Sequence, residues 1–142
     1  MSSLIPKKVK HRKWFTGREN AKKHSRPETR GLTVAFGQWG LKATSHYRVK
    51  SNQIEAARRA MQRHLGKNGR AWIRIFTDMP FTKKPAEVKM GKGKGDLQGY
   101  QFEVRPGRVI FEVDGVTEEV AKEALRKAGT KLPLKTKVVA RI

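Results

Sequence analysis

The 142 residues suffice for one compact domain and are few for two. Lys and Arg number 33 against 12 Asp and Glu, a net charge of +21 where solubility alone asks for about 2 to 8, so the surplus calls for a polyanionic partner. The absence of cysteine excludes disulfide scaffolds and thiolate metal sites, and "MSSLIPKKVKHRKWF" has no apolar signal core, so a soluble intracellular protein without a membrane partner is expected.

Residues 1–30 carry a net +8, residues 31–100 a net +10 and residues 101–142 only +3, so the polyanion should meet the first hundred residues. The first thirty, with Gly17, Pro6 and Pro27 and no periodicity, read as an irregular basic arm ordered by its partner. Trp14 and Phe15 stand among Lys10, His11, Arg12, Lys13 and Arg18. Aromatic and guanidinium planes stack on unpaired bases, whereas a solvating tail avoids aromatics.

From Gly31 to residue 142 the pattern is that of an α+β domain. "LTVAFG" and "GLKATSHYRVK" read as two short strands broken by Gly37 and Gly40. "SNQIEAARRAMQRHLG" reads as a helix capped by Ser51, with Glu55 in its first turn and Gly66 as its stop. Ile54, Ala57, Met61 and Leu65 form its apolar stripe, and Arg59 and Arg63 fall opposite. "AWIRIF" is a strand whose Trp72 and Phe76 are expected to cover a second core surface.

More than twenty residues with no periodicity then separate Phe76 from Tyr100, and an extended loop over 80–99 is expected. It holds Lys83 and Lys84, and then the alternation "VKMGKGKGD" with Lys89, Met90, Gly91, Lys92, Gly93, Lys94 and Gly95. Glycine lets backbone N–H groups approach a phosphate, and lysine supplies the charge. The segment fits neither G-x-x-x-x-G-K-[ST] nor G-x-G-x-x-G, since Asp96 and Gln98 stand where the latter needs glycine.

"YQFEVRPGRVIFEV" reads as two strands joined at Pro106-Gly107. Thr117 caps a second helix with Glu118 and Glu119 in its first turn and Arg126 and Lys127 in its last, ended by Gly129 and Pro133. "KTKVVARI" closes the domain as a strand. His11, His24, His46 and His64 stand at no metal-ligand spacing, and residues 56–77 contain no carboxylate, so neither an active site, nor a metal, nor a cofactor, nor a small-molecule substrate is expected.

"IPKKVKHRK", "SNQIEAARRAM", "KPAEVKMGKGKGD", "RPGRVIFEVDGVTEE" and "KLPLKTK" together resemble the bacterial large-subunit ribosomal proteins of the L-sixteen family, over nearly the whole chain and in the family's order. The resemblance implies an α/β-hammerhead-like domain of mostly antiparallel strands and two helices. It would sit on 23S ribosomal RNA beside the peptidyl transferase centre, among other large-subunit proteins in the bacterial cytoplasm. It would help organise the A site and approach A-site and also P-site transfer RNA.

Carried over by position, Lys7, Lys8, Lys10, His11, Arg12 and Lys13 lie in the arm embedded in ribosomal RNA; Trp14 and Arg18 are counted with them as RNA-binding candidates on the interleaving of aromatics and cations alone. Arg58, Arg59 and Arg63 face ribosomal RNA, and the loop Lys89 to Gly95 extends towards transfer RNA. Many relatives have arginine, hydroxylated in some, where this chain has Lys89, so that modification is not carried over. Residues 17–30 look longer than the family's spacing, and no individual contact is transferred there. The rival reading from composition is a general DNA- or RNA-condensing protein, whose affinity falls steeply with salt. An RNA-modifying enzyme and a membrane-surface binder lack, respectively, an acid/base cluster and a strongly amphipathic helix.

Overall fold

In the computed structural model, which describes residues 4–15, 26–91 and 93–142, the chain runs β1 (Trp39–Ala43), β2 (Tyr47–Lys50), α1 (Ser51–Leu65), β3 (Arg70–Ile73), β4 (Met79–Lys83), β5 (Asp96–Val104), β6 (Val109–Asp114), α2 (Glu118–Thr130) and β7 (Thr136–Ala140). The strands form two antiparallel sheets, one of order β3-β6-β1-β7 and one of order β2-β5-β4. This is the expected α+β class. Arg18, His24 and Lys92 lie outside the described residues.

One face of the four-stranded sheet meets the helices. Its Leu41, Ala43, Phe111 and Val113 pack with Ile54, Ala57, Met61 and Leu65 of α1 and with Ala121, Ala124, Leu125 and Ala128 of α2. The alanines let the two helices approach closely. The apolar stripe expected for α1 is thus its buried face, and Gly66, at φ 71°, ends it as expected.

Several local expectations are corrected. Ser51 is the first residue of α1 rather than its cap; Lys50 occupies the cap position, and its N–H donates to the Gln53 side chain at 2.9 Å. Glu55 does not serve the helix dipole from the first turn but lies buried in the second. Thr117 does cap α2, its Oγ1 accepting from the Val120 N–H at 3.5 Å. Gly129, however, lies inside that helix, which runs on to Thr130. A Cβ at Gly129 would stand 2.6 Å from Thr136 Oγ1, so the glycine lets β7 approach rather than stopping the helix.

"LTVAFG" is not a strand. Its residues form a bent cover over the outer face of the four-stranded sheet, opposite the helices, where the N–H groups of Ala35, Phe36 and Gly37 all donate to Glu112 Oε1 at 2.7, 2.8 and 3.2 Å. A side-chain carboxylate thereby satisfies backbone donors that strand pairing would otherwise take up. Trp72 covers this same face, stacked on Phe36 at 6.2 Å, whereas Phe76 remains 43% exposed.

The strands flanking Pro106-Gly107 exist, but they do not pair with each other. β5 belongs to the three-stranded sheet and β6 to the four-stranded one, and Gly107, at φ 101°, turns the chain between them. The region expected as a loop over 80–99 contains β4 and the start of β5, paired from Met79↔Gln101 to Lys83↔Asp96. The irregular part is the hairpin tip, 84–95.

Candidate nucleic-acid interface

The hairpin projects the glycine–lysine alternation at its end. Gly91 and Gly93 take positive φ, 107° and 88°, with open space where a side chain would be. Gly95 has a different reason: a Cβ there would lie 2.8 Å from the Lys83 carbonyl carbon. Lys84 Nζ donates to the Gly91 carbonyl and braces the tip from within. Lys83, Lys89, Lys94 and Met90 are exposed, Met90 completely.

The arm begins as part of the fold. Leu4 is buried in the core, and its carbonyl accepts from Thr77 Oγ1. Beyond it Lys7, Lys8, Lys10, His11, Arg12 and Lys13 are all exposed, as is Trp14, and Phe15 is 98% exposed. Lys94 Nζ donates to the Trp14 carbonyl, so the far end of the described arm touches the hairpin tip. Two surfaces that the sequence places eighty residues apart form one cationic ridge with aromatics exposed on it.

On α1 the three arginines differ. Arg58 clasps Glu55 through Nε at 2.9 Å and Nη2 at 2.6 Å, and Arg59 Nε reaches the same carboxylate at 3.1 Å. The Arg58 hydrogen bonds, aided by Arg59, outweigh the effect of burial and hold Glu55 down to about 2. Arg58 is shifted up in return, chiefly by its bonds to Glu55. Glu55 therefore fixes the orientation of the arginines while cancelling one of their charges. Arg63 is exposed.

Sequence reasoning passed over four cations held on aromatic faces: Lys50 over Phe81 at 4.9 Å, Arg74 over Phe36 at 5.1 Å, Arg108 over Phe102 and Lys122 over Trp39, both at 5.3 Å. Arg108 is fixed further by donating to the Arg30 and Arg74 carbonyls at 3.3 and 3.2 Å. The available signal was alternation: Arg74 stands two residues after Trp72, on the same side of an extended segment. Among the described residues, no group of three or more His, Asp or Glu converges as a metal site would require.

The family model described as ribosomal protein L16p/L10e matches residues 6–139. The chain belongs to the L16p/L10e family of ribosomal proteins. Curated relatives called large ribosomal subunit protein uL16 come from Rhodopseudomonas palustris strains BisB18 and HaA2, each 56% identical over 139 residues, and from strain BisB5, 55% identical over 139 residues. Each alignment covers 98% of this chain and 98% of the relative. Members of the L16p/L10e family are structural ribosomal proteins and not enzymes. In this member of the family exposed cations stand on the arm, at the hairpin tip and on α1 at Arg59 and Arg63, and also from α2 to β7 at Lys122, Arg126, Lys131, Lys135 and Lys137.

Proposed function

We propose that this chain is a structural constituent of the large subunit of a bacterial cytoplasmic ribosome, bound to 23S ribosomal RNA beside the peptidyl transferase centre among other large-subunit proteins. There it helps organise the A site and approaches A-site and also P-site transfer RNA. Family membership supports the large-subunit location; the observation that carries the RNA-binding reading is the ridge joined at Lys94 and Trp14. A polyanion lying along the ridge neutralises cations that otherwise repel, and each neutralised phosphate releases counterions. Lys7, Lys8, Lys10, His11, Arg12, Lys13, Trp14 and Arg18 take ribosomal RNA on the arm, with Arg58, Arg59 and Arg63 on α1. The tip from Lys83 and Lys84 to Lys89–Gly95 reaches transfer RNA.

The test is sedimentation of the tagged protein from its native cell at moderately high salt, with and without ribonuclease. Co-sedimentation with large subunits that survives salt and disappears on RNA digestion is the expected result. Protein that leaves the subunits as salt rises and spreads over all nucleic acid would instead identify a general condensing protein.

A further inference from the structure

The last turns of α1 and α2 meet around a shallow depression lined by Ala60, Arg63, His64, Lys127, Thr130 and Lys131. No carboxylate is among these residues. Lys127, half-buried, points its ammonium at His64 Nδ1, 3.3 Å away and 63 positions distant in sequence. An ammonium can only donate, so in this contact Nδ1 is the acceptor and Lys127 keeps two of its three N–H donors for another ligand. Arg63 and Lys131, also in the lining, are exposed. The nearest acid along α2, Glu123, lies outside the depression and is held by Arg126 at 2.6 and 3.0 Å, although Lys127 and His64 are close enough to help lower its pKa.

Cations near helix C-termini are favoured by the helix dipole, and one at each end would satisfy that preference. The dipole does not account for three permanent cations and an imidazole converging on one hollow, with Lys127 directed into it rather than out to water. Such a set of cationic donors with no carboxylate in its lining suits a tetrahedral oxyanion. We infer that the depression between the ends of α1 and α2 is a phosphate site, in which Arg63, Lys127 and Lys131 grip one backbone phosphate of RNA and His64 supports the Lys127 ammonium. The inference rests on the ribosomal reading above and deepens it: the Arg63 contact already assigned to α1 becomes one side of a phosphate site completed by Lys127 and Lys131 of the second helix and its end.

The experiment uses the full-length chain and its Arg63→Gln/Lys131→Gln variant, both changes being at exposed positions that leave folding intact. The ring resonances of His64, assigned with His64→Gln, are followed while inorganic phosphate is added. Binding to deproteinised large-subunit ribosomal RNA is then measured as a function of salt. Phosphate should move the His64 signals in the wild type and markedly less in the variant, and the variant's slope of log affinity against log salt should be shallower by about 1, the loss of one phosphate contact. Wild-type protein that binds the RNA while phosphate leaves His64 unmoved and the variant's slope is unchanged would overturn the site and leave the ribosomal reading standing. A phosphate response at His64 with an unchanged RNA slope would overturn the RNA assignment in favour of a free anion. Failure of the wild type to bind this RNA at all would bring down the ribosomal reading and, with it, the proposed ligand.

Discussion

Glu112 and Arg74 form an ion pair on the outer face of the four-stranded sheet, the carboxylate wholly buried and the guanidinium 20% exposed. The same carboxylate collects the N–H groups of Ala35, Phe36 and Gly37, so one side chain joins β6, the residue following β3 and the segment covering the sheet. Burial opposes ionisation of Glu112. The Arg74 guanidinium and the three backbone donors overcome it and hold the carboxyl below the usual carboxylate range.

Glu112→Gln keeps the shape and removes the charge that Arg74 and the three N–H groups are arranged around. The expected loss is about 2–4 kcal/mol, towards the low end of what breaking a buried pair costs because Arg74 retains some contact with water. Urea unfolding measures it, and a loss below about 0.5 kcal/mol would place Glu112 among ordinary surface positions.

Acid should destabilise the domain through the same chemistry. Glu55 and Glu112 have folded pKa values below their ordinary ones, so their contribution is present above the unfolded pKa and disappears as pH falls through the folded one. For Glu55 that window runs from 4.5 down to about 2. Urea midpoints across this range should fall more steeply for the wild type than for Glu55→Gln, and parallel curves would contradict the assignment.

Gly37→Ala places a Cβ 2.5 Å from the Val113 carbonyl oxygen, a backbone atom in a buried strand that cannot move aside. The expected cost is about 2–3 kcal/mol from overpacking, with the cover over Glu112 displaced. Gly93→Ala meets no neighbour and is penalised only for its positive φ, by about 1 kcal/mol, within a tip that adds little to global stability. Thermal unfolding of the two variants should therefore differ clearly, and equal melting temperatures would refute the distinction.

The arm has two separable roles. Leu4→Ala should cost about 2–4 kcal/mol because Leu4 belongs to the core, while leaving the cations of the arm in place. Substituting Lys7, Lys8, Lys10 and Lys13 together should leave the unfolding midpoint nearly unchanged and lower occupancy in mature subunits. Quantitative mass spectrometry of purified subunits reads the second effect, and full occupancy would remove the arm from the RNA-binding surface.

Lys92→Ala/Lys94→Ala should weaken transfer-RNA binding in the A site more than incorporation into the subunit. Filter binding to reconstituted ribosomes carrying the variant measures it. Unchanged A-site binding would restrict the hairpin tip to ribosomal RNA.

Much of this protein was settled locally. The clustering of positive charge in the first hundred residues, the apolar stripe of α1, the Thr117 cap and the strand character of β6 depend on neighbours within a turn or a pleat, and composition and periodicity report such relations directly. The glycine–lysine segment was equally legible as an exposed cationic stretch without regular structure. Only the tertiary structure decided that β4 and β5 raise it on a hairpin, because Met79–Lys83 has neither a clear alternation nor an apolar run until β5 pairs with it. Likewise "LTVAFG" has strand-like residues, but a carboxylate 75 to 77 positions away takes the N–H groups of Ala35, Phe36 and Gly37, and the segment becomes a cover instead. Lys94 on Trp14 and Lys127 on His64 are relations of the same kind. Periodicity states which face of an element is turned inward; it does not state which distant group that element will meet, since that depends on how all the buried faces close on one another at once.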